Sequence, residues 1–227
     1  GSSSVVGESY TVIETTEMKR NSGDSFTHRK STSVKVETTA AGNITRAEVH
    51  SETLPDSGEN RQYSYYISDN LVYVPQQSPS QDGTQAWRVM EEDTGGAEEL
   101  STVESYRTLL ENSEDASVEK EGTSKEIQLT VPPSELQSVQ AGIGYSMVLG
   151  EYTEQPANIT YTVDSETHQI QQIQIITPVK VPAPDGKEVV TQRTTLNYTY
   201  KSVDISLPKE SNTVSETAAT QEHRNHS

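Results

Sequence analysis

Asn158-Ile159-Thr160-Tyr161-Thr162-Val163 and Thr195-Leu196-Asn197-Tyr198-Thr199-Tyr200 decide how this chain must be read. Each alternates apolar and polar side chains, the period of a strand with one buried face and one wet face. Ile159, Tyr161 and Val163 form the buried set of the first stretch, and Leu196, Tyr198 and Tyr200 that of the second. A sheet made of such strands has to hide its apolar face, and the sequence supplies few helical residues to cover it.

The same period recurs upstream. Strands are expected over 10–18, with Tyr10 and Val12 on one face and Thr11 and Ile13 on the other, and then over 33–39, 43–53, 61–68, 71–74 and 85–91. Tyr63, Tyr65 and Ile67 share one face, and Trp87 is in phase with Val89. Asn21-Ser22-Gly23-Asp24, Ala41-Gly42-Asn43 and Leu54-Pro55-Asp56-Ser57-Gly58 carry turn chemistry. Turns spaced roughly ten residues apart describe an antiparallel meander.

The period changes over 97–111, where Leu100, Val103, Tyr106 and Leu110 recur at helical spacing and Glu98 and Glu99 suit the positive end of the helix dipole. A polar strand pair ending in Ile127, Leu129 and Val131 follows. A second helix is predicted over 134–147, with Ser134 and Gln137 as a capping box and Leu136, Val139, Ile143 and Met147 as its stripe. Strands return over 157–164, 169–177 and 188–200, with a longer loop over 182–187. A short terminal strand is expected over 203–207, closed by Pro208. These elements define an α+β chain: residues 1–8 as a small, polar tether, 9–208 as a single domain and 209–227 as a polar tail, mobile or loosely packed.

Composition narrows the function. Hydrophobic residues make up 30% of the 227, below the about 45–50% of a typical globular domain on a closely similar definition, so the core is expected to be thin. Lys and Arg total 17 against 34 Asp and Glu, a formal charge of −17. That balance argues against nucleic acid and against docking on an anionic bilayer, both of which need clustered cations. Cysteine is absent, which removes disulfides, thiolate metal sites and cysteine nucleophiles. His28, His50, His168, His223 and His226 are scattered without ligand spacing, no Gly-x-Ser-x-Gly elbow occurs, and no phosphate-cradling glycine loop is present. No catalytic residue, metal or cofactor is expected.

The tyrosines are the remaining signal: eleven, against one Phe and one Trp. Tyrosine supplies apolar area together with a hydroxyl that needs a partner. Tyr63, Tyr65, Trp87, Tyr106, Tyr161, Tyr198 and Tyr200, with Ile143 and Met147 from the second helix, are the candidate lining of a cavity for an amphiphile. Sheet–helix packing accounts for the same residues without a ligand.

The order of elements, with Ile159-Thr160-Tyr161-Thr162-Val163-Asp164 followed by a Gln-rich strand from Gln169 to Ile175 and the ending Asp204-Ile205-Ser206-Leu207-Pro208, resembles the extracytoplasmic lipoproteins of the LolA/LppX-type fold, especially their Gram-positive group. The likeness covers residues 10–208. It implies a strongly curved antiparallel sheet, an incomplete β-barrel, with two helices across its concave face and acyl chains held between them. It also implies a lipid-attachment cysteine upstream of Gly1 and anchorage at the outer face of the bacterial cytoplasmic membrane. The expected function is that of a non-catalytic envelope ectodomain binding a lipid-like ligand. An envelope interaction or sensor module without a small-molecule ligand is the alternative.

Overall fold

The computed structural model describes residues 6–20, 26–40, 44–55, 60–77, 83–91, 103–120, 122–140 and 150–215. The N-terminal half is a run of hairpins: β1 (Val6–Lys19), β2 (Phe26–Thr39), β3 (Ile44–Pro55), β4 (Arg61–Ser68), β5 (Leu71–Pro75) and β6 (Trp87–Glu91). Helix α1 (Val103–Glu111) leads to β7 (Ser117–Lys120) and β8 (Ser124–Val131), and α2 (Pro133–Gln140) leads to β9 (Glu151–Tyr152). The chain then forms β10 (Ala157–Asp164), β11 (Ile170–Ala183), β12 (Gly186–Thr199), a 3₁₀ turn (Glu210–Asn212) and β13 (Thr213–Ser215).

All thirteen strands join one open, curved sheet in the order β13-β6-β5-β4-β3-β2-β1-β12-β11-β10-β8-β7, with β9 beside β11. Two meanders are therefore sewn together where β12 returns to pair with β1, from Thr11 opposite Thr199 to Lys19 opposite Thr191. Every pairing is antiparallel except that of β13 with β6. Register shifts in β1–β2, β2–β3 and β10–β11 mark bulges, which raise local twist and bend the sheet.

Alternation decides which face is buried. Tyr10, Val34, Val49, Tyr65, Ile67, Leu129, Ile159, Tyr161, Ile173 and Leu196 lie on one face and belong to a single cluster that also takes in Val103 and Tyr106 of α1 and Leu136 of α2. We call this the inner face. A smaller cluster of Met18, Val179 and Val190 sits farther along the same face.

Several expectations are corrected. β1 begins at Val6, inside the stretch read as a tether. Residues 201–209 form no strand. β12 is internal to the sheet, so the chain must cross its neighbours to reach the edge at β6, and Lys35 Nζ donates to the Asp204 carbonyl on the way, at 3.4 Å. The stretch read as tail supplies β13. The loop expected over 182–187 is a two-residue turn, with Ala183 paired to Gly186 at φ +125°. β11 runs on through Pro178 and Pro182: beyond Ile176 it has lost β10 as a partner and β9 takes up only Val179 and Lys180, so both prolines lie outside the paired residues on that side. The second helix starts one residue earlier than Ser134. Pro133 opens it, and the Pro132 carbonyl accepts from the amides of Glu135 and Leu136 at 3.1 and 3.3 Å. Residues 97–102 and 141–147, which complete the two expected helices, lie outside the described residues.

Gly150 shows how closely β9 approaches β11. A Cβ built there would sit 2.6 Å from the Lys180 carbonyl oxygen and 3.0 Å from Val181 Cγ1. Backbone cannot yield to a methyl group at that distance, so Gly150→Ala is expected to destabilise the fold by about 1–3 kcal/mol. Urea unfolding of the two proteins checks it; equal midpoints would contradict the packing.

Candidate functional site

The inner face is not uniformly apolar. Between its two clusters runs a strip of buried polar side chains: Glu14 and Thr16 on β1, Lys30 and Thr32 on β2, Ser51 on β3, Gln192 and Thr194 on β12, and Thr177 on β11. Strand register builds it. Thr32 stands opposite both Glu14 and Ser51, Thr16 opposite both Lys30 and Thr194, and Gln192 opposite Thr177. Glu14 is 4% exposed and Lys30 is 7% exposed.

Hydrogen bonds link the strip. Thr16 Oγ1 donates to Glu14 Oε1 at 3.4 Å and lies 3.3 Å from Thr194 Oγ1, which accepts from Gln192 Nε2 at 3.5 Å. Thr32 Oγ1 and Ser51 Oγ are 2.9 Å apart. Lys30 Nζ lies over the Tyr63 ring, 5.9 Å from its centre.

Burial raises the Glu14 carboxyl from 4.5 to about 7, against the opposing pull of Lys30 and the Thr16 hydrogen bond. Burial likewise lowers the Lys30 ammonium, while Glu14 acts to raise it. Neither charge is fully neutralised by the other, so the site can change its protonation near neutral pH.

The tyrosines converge on one end of this strip. Tyr10 lies 5.9 Å from Tyr198 and 6.0 Å from Tyr200, and Tyr198 stacks on Tyr200 at 6.4 Å. The Val103 amide donates to Tyr10 Oη at 3.3 Å, and Tyr161 Oη donates to the Tyr106 carbonyl at 3.0 Å, tying α1 to the inner face from two strands. Tyr200 Oη donates to the Ile170 carbonyl at 2.8 Å. Tyr106 is fully buried, and its hydroxyl has no hydrogen-bond partner among the described residues. Burial, then Glu14, Tyr161 and Tyr152, hold that phenol well above its ordinary range.

Of the residues singled out from the sequence, Tyr65, Tyr106, Tyr161 and Tyr198 are buried in the main cluster, and Tyr63 and Tyr200 pack against it. Trp87 does not join them. Pairing of Val72 with Met90 and of Pro75 with Trp87 turns Met90 inward and Trp87 outward, where its ring meets Tyr66 edge-on at 5.2 Å. Ile143 and Met147 lie outside the described residues. Sequence reasoning missed Tyr10, Glu14 and Lys30. The signal for Glu14 was its phase: it continues the Tyr10–Val12 face.

No protein-family model matches the chain. No curated protein matches it either. Among solved structures it is similar to a porin-like protein from Bacteroides uniformis, at 11% identity and a TM-score of 0.29, covering 84% of this chain and 97% of that one.

Proposed function

We propose that this chain is the extracytoplasmic ectodomain of an envelope-anchored, LolA/LppX-like protein that holds an amphiphile without transforming it. The ligand lies between the concave inner face and the two helices across it. Its hydrocarbon part meets the tyrosine-rich cluster, and its head meets Glu14 and Lys30.

One observation carries this reading: an ionisable pair and six further polar side chains are buried in the middle of a face that otherwise serves as the core. Burying charges costs several kcal/mol per ion, more than such a pair returns to stability on its own. A fold with a thin apolar core draws little stability from that arrangement, which is the ground for assigning the polar strip to a ligand. The unpartnered Tyr106 hydroxyl supplies a further donor from the helix side.

The groups facing Glu14 are Lys30 and Thr32 from β2, Thr16 from its own strand, Tyr106 from α1 and Tyr198 from β12. With Glu14 protonated, all of them can donate to a carboxylate head. Titration with a fluorescent long-chain fatty acid is therefore expected to show saturable binding that weakens roughly tenfold from pH 6 to pH 8, about one pH-unit equivalent of lost donor and gained repulsion. Absence of saturable binding at both pH values would remove the proposal.

A second reading has one observation of its own. β7 is an outer strand of the sheet, and its Val118 is 54% exposed. An interaction module would use that edge to take up a strand from a partner.

A further inference from the structure

The outer face of β2, β3 and β4 carries a groove of about 310 Å³ that the inner-face reading does not use. Its walls include Ser31 and Ser33 from β2, His50 and Glu52 from β3, and Gln62 and Ser64 from β4, and the inward-facing Ser51 and Tyr63 also border it. Register explains the depression. Ser33, His50 and Ser64 stand in one row and Ser31, Glu52 and Gln62 in the next, so short serine side chains alternate with long polar ones.

The groove is ordered internally. His50 Nδ1 accepts from Ser64 Oγ at 2.5 Å, and His50 Nε2 donates to Glu48 Oε1 at 2.7 Å, in the tautomer that satisfies both contacts. Lys35 Nζ donates to Glu48 Oε2 at 3.3 Å, and Gln62 Nε2 donates to Glu52 Oε1 at 3.2 Å. Two residues beyond Ser64, on the same face, Tyr66 meets Trp87 with ring planes 72° apart. Both rings are half-buried.

We propose that this outer-face groove binds an uncharged saccharide. The groove offers serine hydroxyls, the amide of Gln62 and the carboxylate of Glu52, a mixture of donors and acceptors that matches the vicinal hydroxyls of a sugar, while His50, with both ring nitrogens engaged, holds Ser64 in place. The Tyr66–Trp87 pair beside it presents ring surface to the apolar C–H face of a pyranose. An anion is disfavoured by Glu48 and Glu52, with Lys35 already engaged by Glu48. A metal ion is disfavoured because no three His, Asp or Glu side chains converge among the described residues. The volume sits at the small end of the range for small-molecule sites, about 300–1,000 Å³.

Trp87 is the only tryptophan in the chain, so a sugar that reaches from the groove onto the Tyr66–Trp87 pair changes its emission without labelling. The full chain is titrated with maltotriose, cellotriose and chitotriose, following Trp87 emission and saturation-transfer NMR. At least one trisaccharide is expected to give a saturable response. His50→Ala, which releases Ser64 and Glu48, and Tyr66→Ala should each weaken it roughly tenfold, the loss of one ordered hydrogen-bonding partner or of one stacking surface. Ser33→Ala with Gln62→Ala, at solvent-facing positions, gives a second test should either single variant fail to fold by circular dichroism. No saturable response to any of the three up to roughly 10 mM, or binding that the folded variants leave unchanged, would overturn the site. Fatty-acid binding is measured separately on the same protein, so failure here leaves the inner-face proposal standing, and the reverse.

Discussion

Tyr161→Ala is expected to destabilise the protein by about 3–5 kcal/mol, the loss for truncating a fully buried aromatic ring. Tyr161 is 0% exposed at the centre of β10, flanked by Ile127 of β8 and Ile173 of β11. Its hydroxyl also reaches α1 through the Tyr106 carbonyl. Tyr161→Phe separates the two contributions. The ring stays and the hydroxyl goes, so the loss should fall to about 1 kcal/mol, the net worth of one hydrogen bond. Urea denaturation of the three proteins makes the comparison. Equal losses for the two variants would mean that the ring contributes little, contrary to its place in the core.

Glu14 gives the second large effect, read from pH. Its carboxyl titrates near 7 in the folded chain and near 4.5 when unfolded. Between those values the folded state holds the proton that the unfolded state releases. The stabilisation is complete below about pH 4.5 and is lost as pH rises through about 7. At about 1.4 kcal/mol per unit over that interval, the loss is roughly 3 kcal/mol. Lys30, lowered from 10.5, works in the opposite sense, with stability rising as pH climbs toward its unfolded value. Asp164, held below 3.8 by the Thr167 and then the Glu166 amide, loses its contribution on acidification.

Glu14→Gln isolates one term from the others. The variant should gain on the wild type by roughly 3 kcal/mol between pH 4 and pH 8, measured by urea unfolding at both ends. Parallel curves for the two proteins would show that Glu14 is solvated and that the polar strip is open to water.

Much of the sheet was legible because alternation is a local property. The strands over 61–68 and 157–164 have the bounds expected from their side-chain period alone. Non-local pairing was not legible. Nothing in the sequence around Thr11 announces Thr199 as its partner, and that pairing is what joins the two meanders. The terminal segment was misread for the same reason. Val203 and Ile205 alternate like a strand, but the position of β12 inside the sheet leaves no free edge beside them.

The candidate site divides along the same line. Tyr65, Tyr161 and Tyr198 follow from their own strands. Trp87 was assigned inward from its phase with Val89, and that phase is correct; which face is inner depends on pairing with β5, which phase cannot supply. Glu14 shows a bias in reading periodicity. A charged residue in phase with Tyr10 and Val12 looks like a break in the pattern. Here the pattern continues through it, and the charge is buried.

Native mass spectrometry of the chain after incubation with a bacterial lipid extract tests the inner-face account most directly. The account predicts a population carrying one acyl-chain ligand, with occupancy that drops when Glu14 and Lys30 are replaced together by Leu and Met in a chain that still folds. A wild-type chain that emerges ligand-free from pH 6 and pH 8 alike would contradict it.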